Sequence, residues 1–177
     1  MAANLELLDA TFKDKAQQLI LNCAAQGVIM RPFFTLRDVY EQASLYRQSR
    51  SKEEIMTKIA ELRTKGAKYL AYCLETVGPS NGKWATNAIP GYSWHNWGLA
   101  IDCFVVGKNG EAIWSSSDKG YKVYAKEAKK LGLNAGYFWR QQDSVHVQSE
   151  ALEVYKAKTL VEVDYLMKKK FWKENAV

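Results

Sequence analysis

An aspartate stands inside one of the most apolar short runs of the chain. Residues Leu99 to Val106 are apolar and rich in β-formers apart from Asp102, so they predict a buried strand. Alternation puts Ala100, Asp102 and Phe104 on one face and Ile101, Cys103 and Val105 on the other. A buried carboxylate without a partner is costly, so Asp102 needs a cation or strong hydrogen bonds. The chain must fold so that this strand lies inside while a partner for Asp102 reaches one of its faces.

The chain has two histidines, His95 and His146, and both suit that role. His95 comes from the loop just before the strand, and His146 from a separate short strand over Ser144 to Gln148. Two neutral imidazoles and one carboxylate make a three-ligand zinc site. Its fourth position is open to water, as in a catalytic zinc. Gly98 and Ala100 are small and let backbone and metal approach. Asp143 is then available as a general base. In a regular strand Asp143 and His146 would point to opposite faces. Asp143 therefore reaches the site only if the backbone bends around Ser144-Val145, or if it lies in the preceding loop. The competing reading is two ordinary histidines and a hydrogen-bonded aspartate. It suits each residue alone and not the combination.

The length of 177 residues, with 47% hydrophobic and 25% charged residues, predicts one globular domain over 1–177. No linker, repeat or separate wall-binding domain is visible. The net charge of +6 and pI of about 9.1 favour anionic partners. Lys119, Lys122, Lys126, Lys129 and Lys130, and the run Lys168-Lys169-Lys170, read as solvated faces. No nucleic-acid motif accompanies them. Cys23, Cys73 and Cys103 do not form a disulfide framework, and they read as buried hydrophobes made in a reducing compartment. The first nine residues lack the pattern of a signal peptide, and no apolar run approaches a membrane span.

Helical spacing appears in Phe12, Ala16, Leu19, Ile20 and Cys23, with Gly27 as the stop. A second helix is expected from Asp38 to Gln48. Ser51 and Glu54 form a capping box ahead of one long stripe, Ile55 to Val77, that ends before Gly78-Pro79. Lys108-Asn109-Gly110 predicts a turn with Glu111 to Trp114 pairing back. Asp118 caps a helix to Leu131, and Leu160, Val163, Met167 and Phe171 mark a C-terminal helix. The expected class is α+β: N-terminal helices packed on a small, mostly antiparallel sheet that carries the site.

The pattern Ser93-x-His95-x-x-Gly98-x-Ala100-x-Asp102, followed by Asp143-x-x-His146, resembles the zinc peptidases of the D-alanyl-D-alanine carboxypeptidase and L-alanyl-D-glutamate endopeptidase family, peptidase family M15. These enzymes cut peptidoglycan stem peptides, and many are bacteriophage endolysins. Asp before the histidine, without a Trp between them, resembles the endopeptidase branch. Arg37 followed by Gln42-x-x-Leu45-Tyr46-x-Gln48-Ser49-Arg50 also fits, although Ser49 stands where the family often has Gly.

The resemblance implies one zinc ion held by His95, Asp102 and His146, with Asp143 as the base. It implies that Arg37 faces the site, to bind substrate or stabilise the oxyanion. By the same analogy the C-terminal helix would be scaffold. From the residues themselves, Ser93 either hydrogen-bonds a ligand or plays a plain turn role, and Trp94, Trp97 and Trp139 either wall the cleft or pack in the core. The resemblance further implies a monomeric endolysin with peptidoglycan stem peptide as partner and neither nucleic acid nor an integral membrane segment. Such an enzyme waits in the host cytoplasm for a membrane lesion, and its diffuse positive charge is the only targeting device. The rival expectations are a D-alanyl-D-alanine carboxypeptidase or dipeptidase, and a zinc-stabilised wall-binding module without turnover.

Overall fold

The computed structural model describes residues 3–150 and 157–172. In chain order the elements are α1 (Ala10–Ala25), β1 (Met30–Phe34), α2 (Val39–Arg47), α3 (Lys52–Thr64), α4 (Lys68–Thr76) and the short α5 (Trp94–Trp97). They continue with β2 (Ala100–Val106), β3 (Ala112–Ile113), α6 (Lys119–Lys130), β4 (Leu133–Ala135), β5 (His146–Ser149) and α7 (Leu160–Phe171). This is the expected α+β class, helices with a small antiparallel sheet. The chain divides into two compact units: Met1–Leu36 with Trp97–Ala151, and Arg37–Asn96 with Leu152–Val177. No helix among the described residues is long and apolar enough to cross a membrane.

The first unit holds the sheet. Its strands run in the order β1-β2-β5-β4, with β3 also pairing β2, and every pair is antiparallel. β2 is central because its sequence suits burial: Ala100, Ile101 and Cys103 are at most 1% exposed. Helices α1 and α6 supply the core beside it. Asp9 caps α1 by accepting from the backbone N–H of Thr11 and Phe12, and the helix buries Phe12, Ala16, Leu19 and Cys23. Asp118 caps α6, which buries Tyr121, Tyr124, Ala125 and Ala128. A side chain at Gly120 would meet Val105 Cγ2 at 2.9 Å, so α6 lies against the Ile101/Cys103/Val105 face. Burial pushes the Cys103 thiol well up.

Two strands were not expected in a first half read as helical and in the stretch after α6. β1 contains Pro32, which has no N–H to donate. It is tolerated because β1 is an edge strand, and the register shifts between Pro32 and Phe34. β4 is three residues long and exists through its pairing with β5.

The second unit is helical: α3 and α2 pack on α4, and α4 on α7. Asp38 caps α2, and the Ser51/Glu54 capping box is present at α3. The stripe from Ile55 to Val77 is two helices and not one. Gly66 takes φ +86, and the backbone N–H groups of Gly66 and Ala67 donate to Arg63 O (3.0 Å) and Leu62 O (2.8 Å). A left-handed glycine that satisfies the last carbonyls ends a helix even where the apolar period continues. A second capping box, Thr159 with Glu162, starts α7, which buries Val163 and Met167. The α7 residue Asp164 accepts from the backbone N–H of Leu70 at 2.8 Å.

Candidate metal centre

The β2–β5 register sets Asp102 opposite His146. Nδ1–H of His146 donates to Asp102 Oδ1 at 2.9 Å, and Gln148 Oε1 lies 3.0 Å from Nε2. Both side chains are buried, Asp102 at 8% and His146 at 9% exposed. Burial pulls the His146 imidazolium down. Asp102 outweighs it, by hydrogen bond and by charge, with help from Gln148 and the Asp143 charge, so the net direction is up.

His95 lies on α5, a single turn and not a loop, which leads directly into the sheet. Gly98 makes the connection. Its φ is +75, and a side chain there would meet Asp9 N at 3.0 Å and Leu7 O at 3.1 Å, so glycine is required. His95 is 3% exposed.

One ligand atom from each of His95, Asp102 and His146 lies within 4.8 Å of the other two. Tetrahedral zinc with bonds of about 2.1 Å sets its ligand atoms roughly 3.4 Å apart. The Nδ1–Oδ1 separation of 2.9 Å already has the scale of such an edge. Two imidazole nitrogens with one carboxylate oxygen are donors that zinc accepts. His95, Asp102 and His146 can thus hold one metal ion, and zinc fits the donor set.

Asp143 occupies a tight turn. Its N–H donates to Gly136 O at 2.9 Å, and its own carbonyl accepts from His146 N–H at 3.3 Å. The turn supplies the bend that strand alternation lacks. The side chain is exposed, and its charge acts on His146. Trp139 lies beside His146 with centroids 5.3 Å apart and ring planes tilted by 48°, its Nε1–H donating to Asn134 Oδ1 at 2.6 Å. Trp94 is buried, and Trp97 is half-buried.

Arg37 is half-buried. Its guanidinium donates to Gln42 Oε1 at 3.0 Å, and its N–H donates to His95 O at 3.1 Å. Gln42 is fully buried and donates in turn to Ala88 O at 2.8 Å. Ser93 opens the α5 turn, accepting on its carbonyl from Asn96 N–H at 2.9 Å. Ser49 takes φ +61, the left-handed conformation for which glycine is the usual residue.

Asn96 escaped the sequence reading. It is fully buried, and its Oδ1 accepts from Gly91 N–H (3.0 Å) and Ser93 N–H (3.4 Å). Its Nδ2 donates to Arg37 O (2.9 Å) and Asp38 O (3.4 Å). Asn96 thus ties the turn carrying His95 to the start of α2. Lys170 of α7, read as part of a solvated run, donates to Asn96 O at 3.0 Å. The only local signal was a polar Asn between Trp94 and Gly98.

Comparison with known proteins gives a match over residues 5–152 to a family model described as VanY: D-alanyl-D-alanine carboxypeptidase. The chain belongs to the VanY D-alanyl-D-alanine carboxypeptidase family. The matched stretch contains Arg37, Ser93, His95, Asp102, Asp143 and His146, and it stops short of α7. Similar solved structures include the vancomycin-resistance D,D-pentapeptidase VanY of a VanB-type cassette in complex with Zn(II). It is 19% identical over 89% of this chain and 78% of that one, with a TM-score of 0.48. The L-Ala D-Glu endopeptidase ChiX of Serratia marcescens is 16% identical over 82% of this chain and 83% of that one, with a TM-score of 0.43. No curated protein matches by the same standard.

Proposed function

We propose that this VanY-family chain is a zinc peptidase that hydrolyses the L-alanyl–D-glutamate bond of the peptidoglycan stem peptide. The observation that carries the proposal is the three-donor group of His95, Asp102 and His146 with a carboxylate, Asp143, on the turn leading into His146. When bound, zinc supplies Lewis acidity that polarises a carbonyl and brings the pKa of water to about 7.

The chain's residues do the rest. The Asp143 carboxylate takes the proton of the attacking water and passes it to the leaving amine. The Arg37 guanidinium takes up the negative charge that develops on the carbonyl oxygen, or holds a substrate carboxylate. Gln42 orients it, so little reorganisation is needed during reaction. Ser93 shapes the turn of His95, and Trp139 walls the site beside His146.

Digestion of purified sacculi, with mass spectrometry of the new termini, tests the reading. New L-alanine C-termini and D-glutamate N-termini are expected, with the glycan strand intact. The family description favours a second reading, a D-alanyl-D-alanine carboxypeptidase, and free D-alanine without those termini would replace the first reading by it.

We further propose the endolysin role: accumulation in the cytoplasm of a host, action after a membrane lesion, and retention on anionic wall through the net charge of +6. Expression in a bacterium should be tolerated until the membrane is permeabilised and should then lyse the culture. Survival of permeabilised, expressing cells would remove this role.

A further inference from the structure

Side chains two residues apart on a strand share a face, and cross-strand register extends them into rows. On β2 one row is Phe34, Asp102 and His146, which carries two of the three metal donors. The next row along the same face is Arg31 and Phe104, joined by Trp114, one residue beyond the Val105–Ile113 pair. Adjacent rows stand about 7 Å apart.

The proposed mechanism makes no use of the second row, and its residues form a group. The rings of Phe104 and Trp114 are 5.1 Å apart. Phe33, at the register irregularity of β1, is 5.0 Å from Trp114, edge to face, and 6.2 Å from Phe104. The Arg31 guanidinium lies 5.9 Å over the Phe104 ring. The group is not core: Trp114 is 56% exposed, Phe33 and Phe104 are half-buried, and Arg31 is exposed. The core of this unit uses the other face of β2, through Ile101, Cys103 and Val105.

We propose that Arg31, Phe33, Phe104 and Trp114 form a subsite for the N-acylated sugar that carries the stem peptide. The flat rings match the apolar C–H face of a pyranose, and Arg31 brings five N–H donors for its amide, ether and hydroxyl oxygens. This rests on the L-alanyl–D-glutamate reading, and distance is what connects the two. A residue spans at most about 3.6 Å. One alanine and the lactyl group therefore set the sugar roughly 7 Å from the L-alanyl–D-glutamate carbonyl, the spacing of one row. The D-alanyl–D-alanine carbonyl lies three residues further out, roughly 18 Å from the sugar on the same extended-chain count.

The test uses the zinc-loaded full chain and two substrates, a disaccharide-linked tetrapeptide and the same tetrapeptide without sugar. The readout is the ratio of kcat/KM on the first to that on the second, with zinc content measured for each variant. Wild type should favour the sugar-linked substrate. Trp114→Ala should lower the ratio roughly tenfold, mainly through KM, as loss of a central aromatic contact does. Arg31→Ala removes an exposed side chain and serves as the second variant should Trp114→Ala fail to fold; it should shift the ratio in the same direction. An unchanged ratio in both variants, or equal losses on both substrates, would overturn the subsite and leave the peptidase reading standing. If wild type cut neither substrate at the L-alanyl–D-glutamate bond, the functional reading itself would fall.

Discussion

Metal should stabilise this fold without creating it. The unit carrying Asp102 and His146 has its own core, with Leu19, Cys23, Ile101, Tyr121, Tyr124 and Val147 at most 1% exposed. The hydrogen bond between His146 and Asp102 also satisfies the buried carboxylate when no ion is bound. Chelation should therefore leave a folded protein, unlike a zinc finger, in which metal binding and folding are one event. A ligand at 100 times its Kd adds about 2.7 kcal/mol. For a chain of this length each kcal/mol moves Tm by about 2–4 °C, so saturating zinc should raise Tm by roughly 5–11 °C. Calorimetry on EDTA-treated protein, with zinc restored in steps, measures it. His95→Ala opens a void at a site 3% exposed, which lowers the metal-free Tm by itself. The informative quantity is the zinc-induced shift within each protein, from which that void cancels. His95→Ala and His146→Ala should keep less than about 2 °C of shift. Absence of a cooperative transition in the metal-free wild type would show that metal builds the fold. An undiminished shift in His95→Ala would remove His95 from the ligand set.

Asp143→Ala should retain zinc and lose at least about 100-fold in kcat, since a positioned general base contributes 10²–10⁴-fold; a rate within threefold of wild type would place the base elsewhere. Arg37→Ala should also keep zinc while losing activity, and a wild-type rate there would reduce Arg37 to scaffold. Asn96→Ala removes the four hydrogen bonds around the His95 turn and should weaken zinc affinity about 10–100-fold in chelator competition, as loss of an outer-shell partner does; an unchanged affinity would show that the turn holds itself. The His146 pKa is raised in the metal-free fold, so its contribution to stability is fully present below the unfolded value near 6.5 and is lost as pH rises through the folded value. Zinc must displace that proton, so zinc affinity should rise with pH over the same window. Metal-free melts and chelator competition between pH 6 and 8 check both signs, and a flat profile in both would mean that His146 does not bind a proton in the fold.

The three residues that can hold a metal were legible in the sequence because a carboxylate inside an apolar strand is costly wherever the strand goes, and two histidines were at hand to explain it. Helix starts were legible for a similar reason. Asp38, Ser51 and Asp118 satisfy backbone N–H groups two or three residues away, and such chemistry is written locally; the caps Asp9 and Thr159 are of the same kind and went unread. The break at Gly66 was hidden, because the apolar stripe runs through it and only the left-handed glycine decides. β1 and β4 were hidden for a different reason. Strands of three to five residues have little intrinsic signal, and their free energy comes from partners far along the chain, such as Phe104 for Arg31 and Val147 for Ala135. The supports of the site follow the same rule. Asn96 acts on Arg37, Gln42 on Ala88 and Lys170 on Asn96, each across tens of residues. The chain's local chemistry determined which residues could bind a metal. Tertiary structure decided which polar groups hold them in place and which aromatic rings share their face, because those hydrogen bonds and contacts exist only once distant segments meet.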